Sequence, residues 1–473
     1  MKQTGVLCAV FSLPGKYGIG DFGKCAYDFM DKLKKVGVDI WQMLPLNPVG
    51  YGNSPYQPYS SYAGETAYID LDALYEEGLL KSRPRKRPEA SHYIDYDAVH
   101  AYKEPYLRKA FANFTENEAY AEFIKQDWVR LYAIFRVLKK NNGGVSWNEW
   151  KEEDRKWIAN KDEKAIEPFE EEIRFEMFLQ FKFYEQWNKI RAYAREKDLL
   201  LMGDIPFYVG QDSLDVWMDQ DQFLLDPDGY PTHVAGVPPD YFSEIGQRWG
   251  NPIYDWDQMV SDGFAFWKKR LLGAAALYDI IRIDHFRAFD TYWKIPASCP
   301  TAIEGEWIEA PGQQFFDEFL PEFKGAKIIA EDLGEMRPEV YLLRDRYDFP
   351  GMDVLQFTLF DPKFKVKDAM ICYTGTHDNE MVRSWFEALT IKERKLALAK
   401  IHASARLSGE EIGRKFAEYC YHFRTDISIV PVQDILGLTN EARVNTPGTV
   451  SNDNWSWKMT EFGDLFKILK EIL

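Results

Sequence analysis

The sequence predicts an α/β fold, a (β/α)8 TIM barrel with inserted helical and loop-rich subdomains and no C-terminal antiparallel β-domain. Three observations lead to this fold class. Short apolar, β-branched runs recur along the chain, helix-patterned stretches lie between several of them, and the runs end rather than begin in polar residues. Strands that alternate with helices form parallel sheets, and such a barrel collects its functional side chains at its carboxyl-terminal face.

Eight apolar runs have the length and composition of buried strands. In chain order they are 6–11, 38–44, 199–205, 280–286, 327–331, 354–357, 371–374 and 427–432. The first run follows Lys2 and could be mistaken for a signal peptide, but it is very short and continues directly into Ser12-Leu13-Pro14-Gly15. Helical patterns between the runs include 25–36, 175–196 and 263–278.

Two intervals between the runs are far longer than ordinary loops. Residues 63–198 are helical in pattern and highly charged, whereas residues 206–262 are rich in proline, glycine and aromatic residues. We expect one catalytic barrel over residues 1–473. Within it, 63–198 would be a mainly helical insertion and 206–262 a loop-rich insertion over the active site. The residues after the last run read as helical, so no antiparallel β-domain is expected there.

The composition excludes several classes of protein. The net charge is −17, from 58 basic and 75 acidic residues, whereas nucleic-acid binders usually carry a basic stripe. The longest later apolar stretch, 271–281, contains Asp279 and is shorter than the ~20 residues that span a bilayer. Five widely spaced cysteines indicate neither a disulfide framework nor a zinc site and fit a cytoplasmic protein. Aromatic residues make up 16%, which suits core packing and also provides flat faces for sugar rings.

Three acids that follow apolar runs form the candidate active site: Asp284, Glu331 and Asp378. Glycosidic cleavage with retention needs an ionised carboxylate as nucleophile and a protonated carboxylic acid about 5 to 5.5 Å away. Arg282, on the same strand face as Asp284, is expected to keep that acid ionised. The apolar residues that precede Glu331, together with the neighbouring acid Asp332, would raise the pKa of Glu331 and keep it protonated.

Asp378 and His377 would bind sugar hydroxyls and favour a distorted, oxocarbenium-like ring. Structural alternatives stay open, since an acid at a strand end can cap a helix or pair with an arginine. A metal site built from His285, His377 and acids is a further alternative. No His-x-His or His-Glu-x-x-His spacing supports it, and no glycine-rich phosphate loop is present. We therefore expect neither a metal nor a cofactor.

Longer motifs resemble one family. They are Ser12-Leu13-Pro14-Gly15, Tyr17-Gly18-Ile19-Gly20-Asp21, Trp41-Gln42-Met43-Leu44-Pro45-Leu46, Gly52-Asn53-Ser54-Pro55-Tyr56-Gln57, Gly203-Asp204-Ile205-Pro206, Gly236-Val237-Pro238-Pro239-Asp240-Tyr241-Phe242-Ser243, Gly246-Gln247, Trp249-Gly250-Asn251-Pro252 and Asn445-Thr446-Pro447-Gly448-Thr449. With the three acidic motifs, they make the chain similar over nearly its whole length to the 4-α-glucanotransferases, also called amylomaltases or disproportionating enzymes, of the α-amylase clan. The chain departs from the usual pattern at Glu380, where aspartate is expected.

The resemblance implies a role for each acid. Asp284 would be the nucleophile, Glu331 the general acid/base and Asp378 the transition-state stabiliser. The residues that the resemblance implies for substrate binding are Ser54, Tyr56, Asp204, Tyr241, Gln247, Trp249, Arg282, His377 and Asn445. The proline-rich segment around Tyr241 would form a loop over the cleft.

The implied activity is that of a retaining 4-α-glucanotransferase. It would move α-1,4-glucan segments between maltooligosaccharides through a covalent glycosyl-enzyme intermediate. An α-1,4-glucan hydrolase would use the same residues, and a barrel that binds glucan without catalysis is a third interpretation. The expected partners are α-1,4-glucans and maltooligosaccharides as donor and acceptor, with no nucleic acid and no membrane.

Overall fold

Twelve β-strands occur in the computed structural model, which describes residues 2–87, 91–239, 243–334, 336–362, 370–404 and 406–473. They are β1 (Gln3–Leu7), β2 (Ile40–Gln42), β3 (Leu200–Ile205), β4 (His233–Val237), β5 (Gln247–Pro252), β6 (Ile280–Ile283), β7 (Thr291–Pro296), β8 (Glu306–Glu309), β9 (Lys327–Ala330), β10 (Gly351–Val354), β11 (Met370–Tyr373) and β12 (Ile427–Pro431).

Eight of these strands form a parallel barrel. Their order is β10-β11-β12-β1-β2-β3-β6-β9, and every pair of neighbours is parallel. The backbone N–H of Ala330 in β9 donates to the carbonyl of Pro350, just before β10, at 2.9 Å. This bond joins the two outer strands, so the sheet closes on itself and the predicted (β/α)8 fold is confirmed.

The eight barrel strands overlap the eight predicted runs, with two clear displacements. β1 begins three residues before the predicted run 6–11, and the end of that run lies in the 3-10 turn Val10–Ser12. The sixth strand is Gly351–Val354, and most of the predicted run 354–357 belongs to the short helix Leu355–Thr358. The cause is Asp353, which interrupts the apolar pattern although its side chain is buried and accepts a hydrogen bond from Thr358 Oγ1. A buried carboxylate with a partner is tolerated in a strand, but the apolar-run criterion does not find it.

Twenty α-helices surround the strands in the described ranges. They are α1 (Lys24–Lys35), α2 (Leu71–Glu76), α3 (Tyr96–Asn113), α4 (Glu118–Phe123), α5 (Asp127–Asn141), α6 (Glu152–Arg155), α7 (Trp157–Asn160), α8 (Glu163–Ile166), α9 (Glu170–Glu196), α10 (Leu214–Met218), α11 (Trp256–Ser261), α12 (Ala265–Leu277), α13 (Gly312–Phe319), α14 (Pro338–Arg346), α15 (Leu355–Thr358), α16 (Val382–Ala388), α17 (Ile391–Lys400), α18 (Glu410–Tyr421), α19 (Val432–Leu436) and α20 (Leu465–Ile472). Helices α2 to α9 lie within residues 63–198, where α9 packs on α5 and reaches the barrel through α1 and β3.

A second, antiparallel sheet was not foreseen from the sequence. Its order is β5-β4-β7-β8, so two strands from the segment 206–262 pair with two strands that follow β6. The strands β4 (HVAGV) and β5 (QRWGNP) are short and contain glycine, proline and polar residues, which hide them from a search for apolar runs. Residues 247–252 therefore lie in a sheet rather than a loop.

The barrel and the helical segment share one hydrophobic core. Five of its largest side chains are fully buried tryptophans: Trp41, Trp147, Trp187, Trp217 and Trp267. Much of the high aromatic content therefore serves packing. After β12 the described chain forms α19, α20 and a short 3-10 turn, without a further sheet. None of the helices seen in the described ranges has both the length and the apolar character needed to cross a membrane.

Candidate active site

Asp284 and Glu331 are neighbours at the carboxyl ends of two paired strands. β6 and β9 are parallel with Ile283 opposite Ala330, so the next residue on each strand is one of these acids. The backbone N–H of Glu331 donates to the carbonyl of Ile283 at 3.0 Å. Paired strands lie about 4.8 Å apart, so the register brings the two carboxyl groups to one edge of the barrel.

Arg282 links Asp284, whose side chain is 28% exposed, to the buried acid Asp204. Its Nη1 lies 3.1 Å from Asp284 Oδ1 and 2.5 Å from Asp204 Oδ2. Asp204 lies opposite Arg282 in the pairing of β3 with β6, and its Oδ2 also accepts a hydrogen bond from the Tyr56 hydroxyl at 2.7 Å. These contacts join four of the predicted residues into one chain of polar groups from Tyr56 to Asp284.

The pKa of Asp284 differs from the sequence expectation. Burial raises it well above its ordinary 3.8, and Arg282 opposes that rise. Three nearby acids add to the rise: Asp204, Glu331 and Asp378. Arg282 thus lowers the pKa of Asp284, as the sequence predicted, but does not keep it at its ordinary value. The guanidinium of Arg282 also contacts Asp204, and its lowering effect on the pKa of Asp284 is smaller than the combined raising effect of burial and the neighbouring negative charges.

Glu331 is held by two backbone donors. Its Oε2 accepts from the N–H of His285 at 2.7 Å and its Oε1 from the N–H of Leu333 at 2.9 Å. Burial raises the pKa of Glu331, whereas the charge of Arg282 and the two N–H groups oppose the rise. Asp332 raises the pKa further, as the sequence predicted.

The two acids together can hold a single proton. Both pKa values are raised, and each carboxylate disfavours ionisation of the other, so the two groups titrate as a pair. Loss of the first proton leaves a charge that opposes loss of the second. Between those two steps the pair consists of one carboxylate and one carboxylic acid, which is the combination that retaining glycosidic chemistry uses.

Asp378 approaches from the loop after β11. Its side chain is 41% exposed, and its Oδ1 accepts a hydrogen bond from Asn445 Nδ2 at 2.6 Å. His377 Nε2 lies 3.4 Å from the same oxygen. Within the loop, Asn379 Oδ1 accepts from the N–H and the hydroxyl of Thr376 at 2.8 and 2.9 Å. Asp378 is thus a braced, solvent-accessible acid close enough to affect the pKa of Asp284.

His377 is packed in an aromatic stack. The Tyr56 ring lies 4.9 Å from the imidazole at an angle of 16°, and the Trp455 ring lies 5.7 Å away. Burial lowers the pKa of His377, opposed by Asp378, so the imidazole is neutral at pH 7 and can bond sugar hydroxyls as donor or acceptor. Sequence reasoning missed Trp455 because it lies in no apolar run. Its only signal was its closeness in sequence to the Asn445 motif.

Gln247 and Trp249 lie on β5 beside His285. Trp249 Nε1 donates to Gln247 Oε1 at 3.2 Å, and the Trp249 and His285 rings meet edge to face at 4.9 Å. His285 has a φ of 50°, a left-handed conformation directly after Asp284 that turns its ring towards β5. Burial lowers the pKa of His285 to about 3. Its Nε2 is buried and has no hydrogen-bond partner among the described residues.

Ser54 has no side-chain contact with the three acids in the described part of the chain. Ser54 Oγ accepts from the N–H of Tyr56 at 3.2 Å, a local turn bond that shapes the segment carrying Tyr56. Tyr241 lies outside the described residues. For the alternative of a metal centre, the described part of the chain contains no group of three or more His, Cys, Asp or Glu side chains that could hold an ion.

Comparison with known proteins finds similarity along the whole chain. A family profile described as 4-alpha-glucanotransferase matches residues 8–464. The chain is 41% identical to a 4-alpha-glucanotransferase of Thermus thermophilus, over 97% of this chain and 95% of the relative. It is 39% identical to a 4-alpha-glucanotransferase of Aquifex aeolicus strain VF5, over 98% and 96%.

A solved structure with the same architecture is the amylomaltase from Streptococcus agalactiae in complex with acarbose. The TM-score is 0.92 at 34% sequence identity, and the superposition covers 100% of this chain and 98% of that one. The similarity therefore includes the inserted segments as well as the barrel.

Proposed function

This chain belongs to the 4-α-glucanotransferase family, and on that premise we propose that it moves α-1,4-glucan segments between maltooligosaccharides through a covalent intermediate on Asp284. The observation that carries the proposal is the adjacency of Asp284 and Glu331 on β6 and β9. Arg282 lies against the first acid and two backbone N–H groups bond the second. Such a pair, holding one proton, supplies the carboxylate and the carboxylic acid that a retaining double displacement uses.

In the first step, Asp284 attacks the anomeric carbon of the donor glucan. The bond between that carbon and the glycosidic oxygen breaks, and Glu331 gives its proton to the departing oxygen. The shortened glucan leaves with a free 4-hydroxyl, and the transferred segment remains as an ester on Asp284. The two backbone N–H groups that bond Glu331 stabilise the carboxylate that this step creates.

In the second step Glu331 acts as the base and Asp284 as the leaving group. Glu331 takes the proton of the 4-hydroxyl of an acceptor glucan, the acceptor oxygen attacks the anomeric carbon, and the ester bond to Asp284 breaks. Two inversions at one carbon give net retention of the α configuration. Arg282 stabilises the Asp284 carboxylate as it leaves.

Asp378, Asn445 and His377 are proposed to bind hydroxyls of the donor ring next to the cleaved bond. Asn445 and Asp378 are bonded to each other, and the stacked Tyr56 ring supports His377. A carboxylate beside the anomeric centre also stabilises the positive charge that develops on the ring, so its contribution is greatest in the transition state.

Transfer requires the acceptor sugar to reach the intermediate before water does. Trp249, next to His285, offers an apolar ring on which an acceptor glucan can stack. Tyr241 belongs to the connection between β4 and β5, and we propose that this connection covers the acceptor side of the cleft. Exclusion of water by a bound acceptor and by this segment would favour transfer over hydrolysis.

Incubation with pure maltotriose tests the proposed function. We expect glucose together with maltotetraose, maltopentaose and longer products, because each transferred segment is joined to another maltotriose molecule. Chromatography of the products over time measures the glucose and the longer oligosaccharides. Glucose and maltose without longer products would indicate the hydrolase alternative, and unchanged maltotriose would indicate a barrel that only binds glucan. Either result would overturn the proposal.

The pH dependence of kcat/KM follows from the raised pKa values. We expect a bell-shaped profile whose acid limb lies above the ordinary carboxyl values of 3.8 and 4.5, because burial raises the pKa of both Asp284 and Glu331. Activity falls on the acid side as the nucleophile gains a proton and on the basic side as the acid/base loses one. Initial rates on maltotriose across the pH range measure this. Full activity down to about pH 4 would contradict the raised values.

A further inference from the structure

Arg443 joins the loop that carries Asp378 to the chain segment after β12. Its Nη2 donates to the carbonyl of Asp378 at 2.5 Å, and its Nε donates to the carbonyl of Asn445 at 2.7 Å. Asn445 in turn donates its backbone N–H to the carbonyl of His377 at 3.1 Å and its side-chain amide to Asp378 Oδ1 at 2.6 Å. These hydrogen bonds form a closed ring between the two segments.

Neither segment has regular secondary structure at these residues, so side-chain bonds, together with the one backbone bond from Asn445 to His377, hold the two against each other. Asn379 braces the first loop internally and does not reach Asn445. Among the described residues, Arg443 is the side chain that bonds the main chain on both sides. Its removal would leave the two segments joined here by the bond between Asp378 and Asn445 and by the backbone bond from Asn445 to His377.

The charge of Arg443 also lies close to two acids. Burial lowers the pKa of Arg443, and the charges of Glu380 and Asp378 oppose that change, so the guanidinium stays protonated. Glu380 Oε1 is bonded by Asn440 Nδ2 at 2.8 Å, which anchors this acid to the segment after β12 as well. A planar guanidinium with several fixed donors suits this position, because it must bond two carbonyls in different directions.

We propose that Arg443 is a positioning residue for the transfer reaction, which holds Asp378 and Asn445 in the arrangement where both act on the donor sugar. The inference rests on the role of Asp378 in the proposed function. Arg443 acts through these two residues. A displacement of about 1 Å in a stabilising group can lower a rate about 10²-fold. An interaction made only in the transition state lowers kcat with little change in KM.

The test uses the full-length enzyme with maltotriose. Arg443→Ala is expected to lower kcat about 10²-fold and to change KM by less than about threefold. Added guanidinium ion should restore part of kcat by occupying the space of the missing group. Arg443→Lys should stay well below wild type, because one ammonium group cannot reproduce the two directed bonds. This variant also serves if Arg443→Ala does not fold.

Arg383→Ala is the matched control. Arg383 Nη1 also bonds a main-chain carbonyl after β12, that of Gly437 at 3.2 Å, but Arg383 has no contact with Asp378 among the described residues. We expect wild-type kcat for this variant and no response to guanidinium.

Two results would overturn the inference. One is a kcat for Arg443→Ala within about threefold of wild type, well short of the expected loss. The other is a fall in kcat that guanidinium does not restore and that is accompanied by a rise in KM of the same factor. Asp378→Asn, measured in parallel, separates this inference from the proposed function. Wild-type activity in Asp378→Asn would remove Asp378 from its proposed role. If Asp378→Asn loses activity while Arg443→Ala keeps wild-type activity, only the positioning role of Arg443 is rejected.

Discussion

Replacement of Asp284 by asparagine is expected to lower kcat on the order of 10⁴-fold or more, because a carboxamide cannot form the ester with the donor glucan. Arg282 keeps its partner Asp204 at 2.5 Å in the variant, so no buried cation loses its only counter-charge. Steady-state rates on maltotriose measure the loss. Mass spectrometry after trapping should find a glycosyl adduct on the Asp284 peptide of the active enzyme and none in the variant.

Asp353→Asn is a suitable control for this substitution. Asp353 is a buried acid of the barrel strand β10, with its pKa raised by burial to about 6, but it bonds Thr358 and lies outside the proposed site. We expect its kcat to stay near that of wild type. An adduct trapped on a residue other than Asp284 would reassign the nucleophile.

Thermal unfolding shows whether the loss in Asp284→Asn is chemical or structural. The pKa of Asp284 is raised above its unfolded-state value, so the folded protein binds this proton more tightly than the unfolded chain does. Ionisation of Asp284 therefore costs folding free energy. The cost is absent below about pH 4 and complete above the folded-state pKa. We expect the Tm of Asp284→Asn to equal or exceed that of wild type, with a gain that grows as pH rises; a lower Tm at neutral pH would contradict this.

Replacement of Glu331 by glutamine is expected to lower kcat on maltotriose by about 10²- to 10⁴-fold, because the departing oxygen no longer receives a proton. A donor with a fluoride leaving group needs no proton for departure. With a maltosyl fluoride of α configuration, we therefore expect the first step to remain fast in Glu331→Gln. The second step lacks its base, so the ester on Asp284 should accumulate and become detectable by mass spectrometry.

Azide completes the test of Glu331, since this small anion attacks the ester without a general base. It should restore turnover of the fluoride donor in Glu331→Gln and should give no rescue in Asp284→Asn. Near-normal activity of Glu331→Gln on maltotriose would remove Glu331 from the acid/base role. Equal loss with maltotriose and with the fluoride donor, without an adduct, would do the same.

The Glu331→Gln variant is also expected to be less stable, a consequence that the sequence did not suggest. Glu331 uses both carboxylate oxygens as acceptors, for the N–H groups of His285 and Leu333. Glutamine has one acceptor oxygen, so one of these N–H groups would face an amide NH₂ and lose its bond. An unsatisfied backbone N–H costs about 1 to 3 kcal/mol when it is buried, so a lower Tm for Glu331→Gln is expected alongside the kinetic effect.

The barrel was readable from the sequence because its strands are buried on both faces. Such strands leave continuous apolar runs, and the acid at the end of β6 or β9 stands out against them. Where a buried polar residue interrupts the run, as Asp353 does in β10, the prediction shifted by several residues. The antiparallel sheet was missed for the same reason, since β4 and β5 have no apolar run to detect.

The order of residues along the chain was enough to identify the barrel and the family and to propose the three acids, because each of these leaves a local pattern of apolar runs or short motifs. The contacts between distant residues came from the folded chain. Tyr56 bonds Asp204 across 148 positions, and Arg443 bonds Asp378 across 65. No local pattern encodes such a pair. The pKa of Asp284 depends on burial and on charges from four strands and loops, so its direction could be established only after packing had brought those groups together.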